Sequence, residues 1–348
     1  MAIQNYSTAS SRIGKLKGEI LACAMPVEVL GITGSNKKMP TNNGDTVIFR
    51  RWLPYGGVDN QFIAPGGDAD FTAAHLTQEG VTPTADTLAP VDVPAVLQQY
   101  SALYALTDKT VDMHEDDIPS EMKKQTGQRI GLVREMIRYG ELKSCTNKFY
   151  AGGNSRATVA AKLSLNALRL ITRGLKTNHA KMITSILAPS PNYATKAVEA
   201  GYLVFCHTDL EADIRTLTGF TPVAEYGTRK PINEHEIGSV ENFRFILSPE
   251  LVSIPDAGAA KGTTGLYSTG GDNVDVYPVI VAAEDAWGQV ALRGSDSIDV
   301  TYIAPGQKDK NDPLGQRGYI GAKTWFTAKI LNDGWMAVAE VGASELTA

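Results

Sequence analysis

TVIFRRWLP at 46–54 and VPAVLQQYSALYALTDKTV at 93–111 flank YGGVDNQFIAPGGDADFTAAHLTQEGVTPTADTLAPVD at 55–92. The intervening 38 residues hold no Lys or Arg, six acidic groups, five Gly and three Pro. The flanks are rich in β-branched and aromatic residues and read as the two legs of one long hairpin. Connections longer than about 15 residues without structure of their own are uncommon in compact domains and are usually functional or disordered. A lone two-stranded ribbon is marginal in water. Such a projection needs another molecule to lie on, which predicts a subunit that interlocks with copies of itself.

The rest of the composition narrows the class. At 348 residues the chain can bury a sizeable core, and 43% hydrophobic with 20% charged residues is ordinary for a globular protein. The longest apolar windows, such as YPVIVAA at 277–283, fall short of the roughly 20 residues a spanning helix needs, so no membrane partner is expected. Arg12, Lys15, Lys17 and Glu19 interrupt any signal-peptide core, so the protein is expected to stay in the cytoplasm where it is made. Cys23, Cys145 and Cys206 are widely spaced and odd in number, which fits a reducing compartment and gives no metal-site spacing. The net charge of −5 argues against a dedicated nucleic-acid reader. That sum hides a split: residues 1–44 hold five basic and two acidic groups, whereas 55–92 is purely acidic.

Along the chain, residues 1–44 read as an extended arm with one short helix, and 45–111 as the hairpin. Pro119 and the acidic groups before it predict a helix from 119 to about 150, with Ile130, Val133 and Ile137 on its packed face. Seven basic against three acidic residues between 120 and 150 make it the most basic element. A second helix over 164–180 carries Leu165, Leu168, Ile171 and Leu175 on one face and is expected against the first. From 202 the texture turns to short β-rich runs with a helix near 208–218, an α+β pattern. The Gly-rich stretch 256–273 reads as a mobile surface loop.

Signals for chemistry are weak. GAAKGTTG at 258–265 lacks the Gly-Lys-Ser/Thr order of a phosphate loop. His114-Glu115-Asp116-Asp117 and His207-Thr208-Asp209-Leu210-Glu211 are explained by helix caps and first-turn acids. Cys145 and Cys206 read as small buried hydrophobes rather than nucleophiles. No enzyme activity, cofactor or metal is expected.

The strings DPLGQRGYIGAKTWFTAKILNDGWMAVAEV at 312–341, VYPVIVAAEDAWGQVALRG at 276–294, YLVFCHTDLEADIRTLTGFTPVAEYG at 202–227 and ENFRFILSP at 241–249 resemble the major capsid proteins of tailed bacteriophages typified by the N-four-like phages. The resemblance implies a Hong Kong 97 type capsid fold. In that plan 1–44 is the N-terminal arm, 45–111 the extended loop, 112–194 a peripheral domain with its spine helix, 195–300 an axial domain and 301–348 the return to the peripheral domain. It also implies a virion coat subunit, assembled in the host cytoplasm as hexamers and pentamers in an icosahedral shell around double-stranded DNA. A portal protein and separate scaffold or decoration proteins would be further partners. Some relatives weld subunits through a loop Lys, but no Lys occurs between Lys38 and Lys109, so noncovalent locking is expected.

The expected contacts between subunits are Asp59, Phe62, Ile63, Asp68, Asp70, Phe71 and Leu76 on the loop and Arg12, Lys15 and Lys17 on the arm. Lys123, Lys124, Arg129, Arg134 and Arg138 are candidates for facing packaged DNA. An encapsulin-like compartment and an unrelated oligomeric enzyme are the alternatives.

Overall fold

The computed structural model describes residues 28–40, 42, 44–54, 72–73, 75–82, 87–183, 200–227, 231–262, 264–292, 298–308, 310 and 312–346. The elements are β1 (Ser35–Met39), β2 (Thr46–Trp52), β3 (Pro90–Val96), β4 (Gln98–Thr107), α1 (Asp108–Met113), α2 (Ile118–Leu142), β5 (Lys148–Tyr150) and α3 (Leu165–Thr177). They continue with β6 (Tyr202–Cys206), α4 (Glu211–Arg215), β7 (Thr221–Pro222), β8 (Glu236–Val240), β9 (Phe243–Leu247) and β10 (Tyr277–Ala282). The chain closes with β11 (Trp287–Leu292), β12 (Ile298–Ile303), β13 (Arg317–Ile330) and β14 (Met336–Val341).

A seven-stranded sheet in the order β5-β14-β10-β6-β9-β8-β7 forms the larger core. Its central strands YLVFC, FRFIL, YPVIVA and MAVAEV are buried along their whole length, the pattern of strands covered on both faces. Side chains alternate across a strand. Tyr202, Val204, Phe245 and Val281 therefore point to one side, where α3 lays down Leu168, Ile171 and Leu175. Leu203, Phe205, Ile280 and Val338 point to the other, where Tyr139 and Leu142 of α2 meet Trp287 and Phe326. The two long helices thus cover opposite faces of this sheet, which corrects the expectation that they lie against each other. Truncating any of the three α3 anchors to Ala opens a cavity in a closed layer, at about 2–5 kcal/mol each.

The second sheet is built on β13. Residues 317–326 pair antiparallel with β4 on one edge. On the other edge, 319–324 pair with β12 and 326–330 with β11, outside which β1 runs parallel. Helix α2 crosses the face formed by Ile320, Ala322 and Phe326, where Ile130 packs with Ala102 and Ala322. The long hairpin is consequently shorter than its sequence suggests. β2 and β3 pair over seven residues, Thr46↔Val96 to Trp52↔Pro90, and the second leg then leaves its partner to join β13 as β4. The predicted boundary at residue 300 falls inside β12, and β11, within 195–300, belongs to the second sheet.

Helix α2 starts as expected: the Asp117 carboxylate caps it by accepting from Ser120 N at 3.2 Å, and Pro119 sits in the first turn. It ends at Leu142 rather than near 150, because Lys148–Tyr150 are drawn into the larger sheet as β5, parallel to β14. Its packed face also differs from expectation. Arg134, Glu135 and Arg138 are buried, and Glu135 is fully enclosed.

The Gly-rich stretch 256–273 is tied down rather than loose. Gly258 N donates to Val274 O, Lys261 N to Asp272 O, and Tyr267 N to Ala343 O. The buried Asp275 carboxylate accepts from the backbone N–H of Asp256 at 2.9 Å and of Thr269 at 3.1 Å, and from the Thr269 hydroxyl. Asp275→Ala leaves both N–H groups unsatisfied, at about 1–3 kcal/mol each. The expected readout of limited proteolysis is rapid cutting between 256 and 273 in this variant and slow cutting in the parent; equal rates would refute the pinning.

Candidate assembly surface

The β2–β3 ribbon is two-faced, and its alternation follows from the residues. Val47 and Phe49 of β2 and Ala95 of β3 turn inward onto Met39, Val290 and Leu292, so the ribbon is anchored on the β1/β11 corner of the second sheet. The opposite face carries Ile48, Arg50 and Trp52 beside Pro94, Asp92 and Pro90. Ile48 is 60% and Trp52 56% exposed, and Val96 next to them is also open. In its middle, Arg50 Nε and Nη2 donate to the two Asp92 carboxylate oxygens at 2.6 and 2.7 Å. Hydrogen bonding to Arg50 holds the Asp92 carboxyl below the usual carboxylate range. This bidentate cross-strand pair fixes the ribbon's twist and register more than its stability, because exposed pairs are worth little.

Beyond the ribbon, Leu76, Val81 and Leu88 are exposed. Leu76, at 77%, is the one expected loop contact within the described residues. Asp59, Phe62, Ile63, Asp68, Asp70, Phe71 and the arm residues Arg12, Lys15 and Lys17 lie outside them. Ile48, Trp52 and Val96 were not singled out from the sequence, although the period-2 alternation of TVIFRRW places Ile48 and Trp52 together opposite Val47 and Phe49.

The basic residues of α2 divide. Lys123, Lys124 and Arg129 are exposed, with the Lys123 ammonium 4.1 Å from the centre of the Tyr302 ring on β12. Arg134 and Arg138 are corrections: both guanidinium groups lie over Phe326, at 4.9 and 5.1 Å, beneath the second sheet. Arg138 Nη1 donates to Glu135 at 3.0 Å and Nε to Gln289 Oε1 at 2.9 Å. The other Glu135 oxygen accepts from Val29 N and Leu30 N, each at 2.8 Å. A buried cation neutralised in this way has no phosphate to meet and instead anchors the start of the described chain.

Three comparisons place this geometry. No family model matches the chain. It is 20% identical over 253 residues to the major capsid protein of Pseudomonas phage KPP21, a match covering 68% of this chain and 62% of that protein, less than two thirds of its length. Among solved structures, it superposes on a chain of the capsid of Ralstonia phage GP4 with a TM-score of 0.68 at 12% identity, covering 98% of this chain and 100% of that one. The fold is that of phage capsid proteins. Cyanophage Pam1 (TM-score 0.59, 12% identity, 97% and 98% covered) and Cyanophage P-SCSP1u (0.58, 12%, 95% and 93%) supply further capsid chains of the same kind.

Within this capsid fold the groups weighed as chemistry have structural duties. His114 Nδ1 accepts from Asp116 N, and Asp117 caps α2. His207 Nδ1 accepts from Asp209 N, while Asp209 accepts from the Tyr277 hydroxyl at 2.8 Å. Lys261 of the GAAKGTTG tract pairs with Glu345. Cys145 and Cys206 are buried; burial pushes the Cys145 thiol up to about 12 and raises that of Cys206, so neither forms a ready thiolate. Among the described residues no cluster of His, Cys, Asp and Glu fits a metal ion, and no helix is long and apolar enough to cross a membrane.

Proposed function

We propose that this chain is the major coat subunit of a tailed phage, arranged on the Hong Kong 97 plan and closing as hexamers and pentamers into an icosahedral shell around double-stranded DNA. The observation that carries the reading is the bare face of the β2–β3 ribbon. It sets large apolar groups in water on an element firmly anchored at its other face, and exposed apolar patches of this kind mark association sites. The full-length likeness to capsid chains supports the same reading. Each ribbon, with the acidic segment it carries, lies over a neighbour, and each basic arm clasps another. Adhesion comes mainly from apolar burial, including Phe62, Ile63, Phe71 and Leu76, while charge sets register. Locking is noncovalent. Portal, scaffold and decoration proteins are separate partners, and the assembled product is the virion capsid.

Negative-stain imaging of the purified chain tests the proposal. Shells or capsomers are expected; small discrete oligomers with saturable binding of a small molecule would overturn it. Deleting 58–72 is expected to abolish normal shell yield, and unchanged yield and stability would refute interlocking by this segment. Of the five basic candidates on α2, Lys123, Lys124 and Arg129 are the exposed ones, and they would meet packaged DNA. Their joint replacement by Gln is expected to flatten the salt dependence of filled particles and to leave that of empty ones unchanged.

A further inference from the structure

We propose that the outer edge of β2 is a docking strip for an extended acidic segment of a second copy of this chain, which adds to the ribbon as a third strand in the groove between β2 and β1. The inference rests on the self-association proposed above and names where on the neighbour the contact is made.

The two edges of the ribbon are built differently. Leu53 N donates to Ala89 O at 3.0 Å and Leu97 N to Asp45 O at 2.8 Å, one bond at each end of the pairing. Hydrogen-bonded and non-hydrogen-bonded pairs alternate along an antiparallel ladder. Val47, Phe49 and Arg51 therefore spend their N–H and C=O groups on β3, while Thr46, Ile48, Arg50 and Trp52 turn theirs outward. On β3 the outward positions include Pro90 and Pro94, which have no N–H to offer and so blunt that edge. β2 contains no proline, and among the described residues no strand pairs with its outer edge.

That open edge borders a cavity of about 490 Å³. Residues 47–51 line it consecutively; side chains alternate across a strand, so the cavity runs along the edge of β2 rather than under one face. Lys37 and Lys38 of β1 and the apolar Leu331 and Trp335 complete the lining that matters here. Arg50 is held by Asp92, and Asp285, the one acid in the lining, accepts from the Ser35 hydroxyl. Lys37 and Lys38 are exposed, and no ion pair engages them among the described residues.

The groove thus combines surplus positive charge, apolar surface and a row of unspent backbone donors and acceptors. An extended chain carrying carboxylates and apolar side chains answers all three, with main-chain bonds giving affinity and charge giving direction. Nucleic acid would answer the lysines and leave the strand edge unmet. A second copy supplies such a chain: 55–92 holds six acidic groups and no Lys or Arg, with Phe62, Ile63 and Phe71 between them.

Binding of a synthetic peptide spanning 55–82 to the dissociated full-length subunit tests the groove whether or not shells form, so its failure is separable from failure of the coat reading, which imaging decides. Amide exchange is read residue by residue across 46–52. Before addition, the N–H groups of Val47, Phe49 and Arg51 are expected to exchange slowly and those of Thr46, Ile48, Arg50 and Trp52 fast; with peptide bound, the second set slows as well. Ile48→Pro removes one outward donor and no bond to β3, and is expected to weaken binding about tenfold more than Ile48→Ala, which keeps the donor. Lys37→Glu combined with Lys38→Glu is expected to weaken binding by about tenfold and to remove most of its salt dependence. A peptide with Asn or Gln at Asp59, Asp68, Asp70 and Glu79 is expected to show the same loss. Unchanged exchange of the outward set, equal losses in the two Ile48 variants, or indifference to the lysine pair overturns the proposal. Slow exchange of the outward set in the dilute subunit before peptide is added places the chain's own segment in the groove and overturns a second copy as occupant. If Ile48→Pro fails to fold, the exchange pattern and the lysine pair still decide.

Discussion

Glu135→Ala is expected to cost about 3–5 kcal/mol of subunit stability, seen as a lower denaturant midpoint with loss of protection at Val29 and Leu30. The side chain is fully enclosed and has two tasks. One oxygen satisfies two buried N–H groups, and the other neutralises Arg138. Removing it strands a cation between Phe326 and the Gly31 backbone, beside the more distant Glu28 and the neutral Gln289. Much of the loss belongs to the stranded cation, so Glu135→Ala combined with Arg138→Met is expected to be more stable than Glu135→Ala alone. A loss under about 1 kcal/mol for the single variant, or no recovery in the pair, would contradict this account of the network.

Changing Ile48 and Trp52 together to Asp is expected to separate folding from assembly. Both side chains are more than half exposed and face away from the ribbon's anchor, so the isolated subunit should keep its melting behaviour to within about 0.5 kcal/mol. In the wall proposed above the same face is buried against a neighbour. Each apolar side chain lost there forfeits about 1.5–3 kcal/mol per contact, and each carboxylate adds a desolvation cost, repeated at every copy. Sedimentation is expected to show soluble subunits and no shells. Normal particles from this variant would exclude the bare ribbon face as an association surface.

Much of this fold was legible in the sequence wherever a local rule governed. Asp117 and Pro119 mark the start of α2 by capping chemistry, and the predominantly apolar runs YLVFC and FRFIL announce strands, which the structure buries along their whole length. Partners far along the chain obscured the rest. The division of 90–107 into β3 and β4 around Leu97 is imposed by β13, more than two hundred residues later, and no turn residue marks it. The helix stops at Leu142 because β14 recruits Lys148–Tyr150. Arg134 and Arg138 look like solvent-facing charges until Phe326 and Gln289 arrive to cover them. At the assembly surface, ribbon alternation could be read from TVIFRRW, whereas the choice of which face stays bare depended on Met39 and Val290.

The second sheet gathers strands from residues 35–39, 98–107, 287–292, 298–303 and 317–330, so its central member is the last of the five to be synthesised. Until then, among the described strands, β4 has no pairing partner, β11 pairs with β1 alone, and α2 has only part of its bed. Such long-range closure is slow, and it makes competence all-or-none with respect to translation. A nascent chain aborted before about residue 317 lacks the strand that β4, β11 and β12 all pair with, so under the proposed assembly prematurely terminated products would be barred from a growing lattice by topology, without a separate inspector.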